Sequence, residues 1–118
     1  MTAAAAEPSA KDHSTTDHRN EVYLVGEVIT VPDERTFADG RDVVTFRLDV
    51  RTEADSRPIR DSFDVTVAGA RTRKAALAWD VGDTVEVEGV VRRKFYKLGS
   101  VSKPFTVIEA QRAKRLRR

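Results

Sequence analysis

Apolar and polar residues alternate in five segments, the first of which begins near residue 20. Polar or glycine-containing stretches separate these segments. Residues 44–51, 61–68 and 84–91 carry apolar side chains at every second position, the period of a strand with one buried face. A last strand is predicted over roughly 105–110. The first segment, 20–29, is largely apolar on both faces. We expect it to be covered on both, by the core and by another subunit.

The period changes between the third and fourth strands. There, residues with spacings of 3, 1 and 3 lie on one face of a short predicted helix: Thr72, Ala75, Ala76 and Trp79. We expect this face to pack on the sheet, which makes Trp79 a core residue. Alternation within the strands predicts a core position for three phenylalanines as well: Phe46, Phe63 and Phe105. The role of Phe37, in the first long connection, stays open.

Three stretches lack either period. Residues 1–19 contain a short alanine run and scattered charges, which is typical of a disordered arm, and they lack the basic start and apolar stretch of a secretory signal. Residues 52–60 are polar, include Pro58 and predict a long flexible loop. The tail 112–118 is expected to be a basic helical turn or disordered. The folded domain is therefore predicted over 20–111.

The predicted elements follow one another as three strands, one helix and two strands. A single short helix between the third and fourth of five strands is typical of the OB-fold, a small Greek-key barrel. The expected class is therefore all-β with one short helix. A fold does not by itself define a function, so the function has to be argued from particular residues.

Composition excludes several kinds of site. The chain of 118 residues has no cysteine, which excludes disulfides, thiolate zinc sites and cysteine nucleophiles. Its two histidines, His13 and His18, both lie in the predicted arm, and no glycine-rich phosphate loop is present. We therefore expect no catalytic residue, no metal, no cofactor and no small-molecule substrate. No apolar run is long enough to cross a membrane.

The net charge of +2 conceals an uneven distribution. Residues 92–118 contain ten basic residues and one acidic residue, whereas residues 20–91 contain nine basic and fifteen acidic residues. The C-terminal part therefore carries +9 and the preceding part −6. A concentrated basic end suits a polyanionic ligand, although a solvated tail can have the same composition.

The most nucleic-acid-like stretch extends the fourth strand to about residue 96. Residues 91–97 interleave four cations with Phe95 and Tyr96. The alternative is an edge ribbon whose charges prevent aggregation. Tyr96 is the better candidate for stacking on a base, whereas Phe95 could point inward or into a subunit contact. On the second strand, Arg47 and Arg51 face outward, where they could contact phosphates or form cross-strand ion pairs.

Four segments, in order and with matching spacing, resemble the bacterial single-stranded DNA-binding proteins. The first is Asn20–Gly26, and the second comprises Pro32–Arg35, Gly40 and Val44–Leu48. The third is Phe63–Gly69. The strongest is Val81–Gly89, where the family has a Lys-Gly-Asp turn followed by a Val-Glu-Gly strand end. The resemblance covers about residues 20–113.

The chain also departs from that family. Two positions at which members usually carry base-stacking aromatics are occupied by Ser62 and Ala68, and only Tyr96 keeps its ring. The sequence ends in basic residues instead of a Gly/Pro-rich tail with an acidic tip. It therefore resembles a short, tail-less paralogue whose binding depends on charge more than on stacking.

The resemblance implies largely sequence-independent binding of single-stranded DNA in replication, recombination or repair, without catalysis. It favours these residues for contact: Arg47, Arg51, Arg92, Arg93, Lys94, Phe95, Tyr96 and Lys97. It also implies a homotetramer built through the first strands, with a dimer left open, and this agrees with the outward residues Tyr23, Val25 and Ile29. A cytoplasmic, nucleoid-associated location is expected.

A second function stays open. The missing aromatics and the charge of −6 over residues 20–91 favour an OB-fold interaction and assembly module, of the primosome-accessory type, with weak binding of DNA or RNA.

Overall fold

A computed structural model of the protein describes residues 17–118. The predicted N-terminal arm therefore lies almost entirely outside the described residues. The described chain forms one helix and six strands: β1 (Val22–Val28), β2 (Asp33–Thr36), β3 (Asp42–Ala54), β4 (Arg57–Val67), α1 (Ala70–Ala76), β5 (Thr84–Leu98) and β6 (Val101–Arg117). Within this part of the chain, no helix is long and apolar enough to cross a membrane.

Five of the strands close into a barrel. The sheet order is β1-β5-β6-β4-β3-β2, and β1 also pairs with β3 at Glu27–Asp49 and Val28–Leu48. β4 and β6 run parallel, and the other pairs are antiparallel. This architecture is an OB-fold, which confirms the predicted fold class. The short β2, which extends the edge of β3, was not predicted because its residues are polar and exposed.

Inward-facing side chains from the strands fill the barrel, and seven of them are fully buried: Val28, Val44, Leu48, Val65, Val67, Val85 and Val87. Trp79 lies three residues beyond the end of α1 and is only 6% exposed. Its ring meets Phe46 edge to face, with 5.6 Å between ring centroids. The predicted core positions of Trp79 and Phe46 are confirmed, and Phe63 packs half-buried against the same core.

The stretch predicted as a flexible loop over residues 52–60 is instead the end of a regular β3–β4 hairpin. Pairing continues to Ala54 and Arg57, and Asp55 and Ser56 make the turn with φ of 52° and 62°. Positive φ at both turn residues is typical of a tight two-residue hairpin. Pro58 is tolerated because β4 pairs with β6 only from Val65 onward, which leaves the earlier part of β4 an edge strand.

A second hairpin, β5–β6, extends well beyond the barrel. Its pairing continues to Leu98 and Val101, and Gly99 supplies the positive φ of 67° in the turn. We refer to the part beyond the barrel, residues 92–106, as the ribbon. This arrangement confirms the continuation of the fourth strand into the basic segment, whereas the last strand begins earlier than predicted.

The basic C-terminal residues are strand as well, so the predicted helical turn or disordered tail was wrong. β6 continues to Arg117, which pairs with Thr84, and Arg115 pairs with Val85. Three cations of this segment reach acidic residues of β5 or of the turn before it. Glu88 accepts from Arg112 at 2.6 Å, Glu86 lies 3.9 Å from Lys114, and Asp83 lies 3.3 Å from Arg115. Backbone pairing with β5, together with these ion pairs, supports the strand, although the segment has no apolar alternation.

Deletion of residues 112–118 is therefore expected to destabilise the fold, because it removes the strand that pairs with the start of β5. A loss of 1 kcal/mol lowers Tm by about 4–8 °C in a domain of this size, and we expect at least that shift in a thermal melt followed by circular dichroism. Deletion of Arg118 alone, which lies beyond β6, is the control. An unchanged Tm after the longer deletion would show that these residues are a dispensable tail.

Candidate nucleic-acid interface

An open cavity of about 550 Å³ lies on the outer face of the barrel, where β3, β4 and β6 meet and β2 forms one side. We refer to it as the groove. Its lining combines hydroxyl, charged, aromatic and aliphatic side chains, among them Asp33, Arg35, Phe37, Thr45, Arg47, Asp64, Thr66, Phe105 and Val107. Such a lining can hold a ligand that has both flat apolar surfaces and negative charges.

Phe105 and Tyr96 form a pair of exposed rings beside the groove, with centroids 5.8 Å apart and the residues 39% and 50% exposed. The prediction that Phe105 lies in the core was wrong. Ile108 and Ala110 are the inward residues of β6, because they pair with core residues of β4. Phe105 and Val107 therefore lie on the other face, where Phe105 is exposed and Val107 is buried. The adjacent apolar residues Val107 and Ile108 conceal this parity in the sequence.

Phe37 forms part of the groove lining from the loop between β2 and β3. Its backbone N–H donates to the carbonyl of Arg41 at 2.8 Å, and its own carbonyl accepts from Gly40. The Arg41 guanidinium lies 5.4 Å from the centre of the Phe37 ring, a cation–π distance. A hydrogen-bonded turn therefore holds the Phe37 ring at the groove, which gives a position to a residue whose role could not be predicted.

Arg47 is correctly predicted to face outward, and it lines the groove. Its backbone N–H donates to the Thr30 hydroxyl at 2.8 Å, which joins β3 to the loop after β1. Its guanidinium lies 3.3 Å from the Asp64 carboxylate on β4, and both side chains are more than half exposed. An exposed pair of this kind is worth about 0–1 kcal/mol, so a phosphate can compete for the guanidinium.

Arg51 is also exposed, but it is absent from the groove lining. Its guanidinium donates to Glu27 at 2.8 Å and lies 3.3 Å from Asp49. Asp49 is buried, and Arg60 donates to both of its carboxylate oxygens at 3.0 Å. The hydrogen bond from Arg60 lowers the pKa of Asp49, against the opposing effect of burial. The structure thus places Arg51 in an ion-pair network that joins β1 to the β3–β4 hairpin.

The basic segment of the ribbon divides between two faces. Arg92 and Lys94 project to the same side as Tyr96, and both approach Glu109, at 3.3 and 3.9 Å. Arg93 and Lys97 project to the opposite side with Phe95, and within residues 17–118 neither has an ion-pair partner. The structure therefore brings Tyr96 to the groove side and leaves Phe95 on the other.

The three residues predicted for subunit contact lie on or just after β1. Tyr23 is 59% exposed, and its hydroxyl donates to Glu86 at 2.8 Å, a bond that raises the pKa of the tyrosine. Val25 is also exposed, and Ile29 is half-buried. From Val22 to Gly26, β1 pairs with β5 on one edge only. An apolar strand with a free edge is a suitable surface for another subunit.

The described residues 17–118 hold no group of three or more His, Cys, Asp or Glu side chains placed to bind a metal ion. One further carboxylate is buried: Asp83, which ends the turn before β5. It accepts from the backbone N–H of Asp80 at 2.9 Å and lies 3.3 Å from Arg115. The bond from the Asp80 N–H, followed by the attraction of Arg115, lowers the pKa of Asp83 below its ordinary value of 3.8, although burial opposes the shift.

A lowered pKa in the folded state means that Asp83 stabilises the fold above about pH 4, and that this contribution is lost as the pH falls through the folded pKa. We therefore expect Asp83→Asn to have a lower Tm than wild type at pH 7 and a smaller further loss between pH 4 and pH 2. Thermal melts across that range measure both effects. Asp61→Asn, at an exposed position of β4, is the control. Parallel pH profiles for wild type and Asp83→Asn would contradict the assignment.

Four residues of this region lay outside the predicted binding set. Phe37, Phe105 and Arg35 line the groove, and Lys103 lies opposite Tyr96 across the ribbon. A polar stretch after the turn at Gly99 could have indicated that the last strand begins outside the barrel. No local signal identifies Phe37 or Arg35, because β2 reaches the groove only through its pairing with β3.

Comparison with known proteins agrees with this geometry. The Single-strand binding protein family matches residues 19–116. No curated protein matches the chain. A similar fold occurs in a structure of "Plasmodium falciparum SSB complex with ssDNA", with a TM-score of 0.69, 21% identity, and coverage of 82% of this chain and 92% of that one.

The small single-stranded DNA-binding protein from Streptomyces coelicolor is also similar, with a TM-score of 0.59 and 26% identity. The alignment covers 80% of this chain and 92% of that one. The family match spans nearly all of the described chain and includes both the barrel and the ribbon. The chain belongs to the single-strand binding protein family.

Proposed function

We propose that the protein binds single-stranded DNA without catalysis and with little sequence preference. The exposed Tyr96–Phe105 pair, beside a groove lined by Arg35 and Arg47 in exposed ion pairs with Asp33 and Asp64, is the observation that carries this proposal. Membership of the single-strand binding protein family supports it, as do the two relatives, one described as a complex with ssDNA and the other as a small single-stranded DNA-binding protein.

Stacking accounts for the preference for a single strand. A base of a duplex has both faces covered by its neighbours, whereas a base of a single strand can lie flat on a side-chain ring. Each stacked base contributes about 1–3 kcal/mol, and every base has a flat face, so binding tolerates any sequence. Tyr96 and Phe105 supply two rings, and Phe37 supplies a third within the groove. The rings missing at Ser62 and Ala68 are thus replaced from β6 and the β2–β3 loop.

Phosphates are held by cations that release their counterions, which makes binding dependent on salt. Lys103 lies opposite Tyr96 on the groove side of the ribbon and has no ion-pair partner in the described chain, so it can meet a phosphate directly. Arg47 must first exchange the exposed carboxylate of Asp64 for a phosphate, and Arg92 and Lys94 must exchange the half-buried carboxylate of Glu109. In this proposal Arg51 has a supporting role in the ion-pair network, and the ribbon supplies most of the binding charge.

We further propose a homo-oligomer that serves DNA replication, recombination or repair at the nucleoid in the cytoplasm. The free edge of β1 and the exposed residues Tyr23 and Val25 support self-association through that strand. Light scattering at micromolar concentration is expected to give the mass of a dimer or a tetramer. The mass of a monomer would contradict the self-association.

A second candidate function is an interaction and assembly module with weak binding of nucleic acid. Many of the cations already form ion pairs with acidic residues, among them Arg51, Arg112 and Arg115. This favours the interaction module, because a paired cation is less available to a phosphate. Under this alternative the groove would bind no oligonucleotide tightly.

Fluorescence anisotropy with labelled oligo-dT, oligo-U and a duplex of the same length tests the proposal. We expect oligo-dT to bind at low salt and the duplex to bind far more weakly, because its base faces are covered. Tighter binding of oligo-U would reassign the groove to RNA. No binding of any of the three at low salt would favour the assembly module.

A further inference from the structure

Carboxylates lie among the cations of the groove and of the ribbon side that carries Tyr96. The cations are Arg35, Arg47, Arg92, Lys94 and Lys103, and the carboxylates are Asp33, Asp64 and Glu109. Five positive and three negative charges leave this surface a net charge of only +2. Each carboxylate forms an ion pair with at least one of the cations. Binding of a polyanion by charge alone would be stronger without these carboxylates.

Glu109 holds two of the cations with a single charge. Its Oε1 lies 3.3 Å from the Nε of Arg92, and its Oε2 lies 3.9 Å from the Nζ of Lys94. The side chain is half-buried on the outward side of β6, at the base of the ribbon. In the parallel pair of β4 and β6, Glu109 lies opposite Thr66, which lines the groove. The negative charge of Glu109 therefore lies beside the groove.

Asp64 places a second negative charge at the same part of the groove. It lies opposite Arg47 in the pairing of β3 with β4, and its Oδ1 is 3.3 Å from the Nε of Arg47. Asp64 precedes Thr66 by two positions on β4, so both residues are on the same face of the sheet as Glu109. A ligand that crosses the groove at Thr66 therefore passes close to both carboxylates.

These negative charges act more strongly on a duplex than on a single strand. A carboxylate repels the phosphates within a Debye length, about 10 Å at 0.1 M salt. A duplex carries one charge per about 1.7 Å of its axis, whereas one strand of it carries one per about 3.4 Å. About twice as many phosphates of a duplex are therefore repelled. The single strand also gains from stacking on Tyr96 and Phe105, whereas the covered bases of a duplex offer no such compensation.

We propose that Asp64 and Glu109 are specificity-determining residues whose negative charges exclude duplex DNA from the groove, while a single strand that stacks on the neighbouring rings still binds. This inference rests on the proposed function and adds a second source of selectivity to it. Specificity is a difference between two affinities, and repulsion of the wrong ligand increases that difference as effectively as attraction of the right one. The carboxylates thus lower the affinity for both ligands, but they lower it more for the duplex.

The variant Asp64→Asn/Glu109→Gln removes both negative charges and nearly keeps the shape of the side chains. Fluorescence anisotropy at one low salt concentration compares its binding of oligo-dT and of a duplex of the same length with that of wild type. We expect oligo-dT to bind about threefold more tightly, the effect of one or two surface ion pairs. The duplex is expected to gain about tenfold, because a doubled charge density doubles the gain in free energy. The preference for the single strand therefore falls about threefold.

The control variant Glu53→Gln/Asp61→Asn changes the net charge of the protein by the same amount. Both residues are exposed on the β3–β4 hairpin, and neither lines the groove. We expect this variant to keep the ratio of the two affinities within about 1.5-fold of that of wild type. Thermal melts close to that of wild type show that both double variants are folded.

Several results would overturn the inference and leave the proposed function intact. Equal gains for oligo-dT and the duplex, or no gain for either, would show that the two carboxylates do not determine selectivity. Weaker binding of oligo-dT would identify them as residues that orient Arg47 and Arg92 for contact. A duplex that binds neither wild type nor the variant would show that its covered bases alone exclude it. Failure of wild type to bind oligo-dT would overturn the proposed function itself, and the inference with it.

Discussion

Replacement of both Tyr96 and Phe105 by alanine is expected to weaken oligo-dT binding by about 2–6 kcal/mol, because each stacked ring contributes about 1–3 kcal/mol. The two rings are exposed, and their centroids lie 5.8 Å apart, so a strand that crosses from the ribbon to the groove passes over both. Even the lower limit is a loss of more than about 20-fold in affinity. Anisotropy titration at a fixed salt concentration measures it.

Leu77→Ala is the matched control, because Leu77 is an exposed apolar residue at the end of α1 and does not line the groove. The double variant is expected to keep a Tm close to that of wild type, since neither ring belongs to the buried core. Affinity within a factor of three of wild type would show that stacking at these rings does not contribute to binding. Each single variant is expected to lose part of the effect.

Gly89→Ala is expected to destabilise the fold by about 1–3 kcal/mol, the usual cost of inserting a carbon into a packed region. A Cβ at Gly89 would overlap the carbonyl oxygen of Glu109 and contact the backbone of Ala110 on β6. The pairing of β5 with β6 shifts register between Glu88 and Gly89, so the two backbones approach closely there. The obstacle is backbone, which cannot rotate away as a side chain could.

Gly69→Ala provides the control for that substitution. Gly69 precedes α1 with a φ of −65°, and a Cβ there would meet nothing within 4 Å. Alanine there restricts the unfolded chain but is a poorer N-cap than glycine, so the two effects oppose each other and we expect stability to change by less than about 1 kcal/mol. Chemical denaturation of both variants checks the contrast. Equal stability of Gly89→Ala and wild type would show that the register shift can accommodate a side chain.

The barrel could be predicted from sequence because burial imposes a period on it. Val44, Phe46 and Leu48 alternate because one face of β3 must exclude water, and Trp79 follows the helical spacing for the same reason. The outer ends of the β3–β4 and β5–β6 hairpins do not have to bury one face. Their residues are exposed on both faces, so residues 52–60 carried only the signals of a loop.

The binding region was only partly predictable because cross-strand register decides how the charges act. Arg47, Arg51 and Arg92 look equally free in the sequence, yet Asp64, Glu27 and Glu109 lie beside them in the fold. Alternation did separate Tyr96 from Phe95. Val107 and Ile108 are adjacent and both apolar, so the sequence does not show which of them faces the core. The prediction chose the wrong alternate set of β6 residues, and it therefore assigned Phe105 to the core, whereas the structure places it at the groove.

The salt dependence of oligo-dT binding by the wild-type protein tests the central claim most directly. The groove-side cations Arg47, Arg92 and Lys103 contact at least three phosphates in the proposed complex. Because the logarithm of the binding constant falls with the logarithm of salt by about 0.7 per phosphate on a single strand, we predict a slope of about −2 or steeper. No binding of oligo-dT at low salt, or an affinity that does not change with salt, would contradict the account.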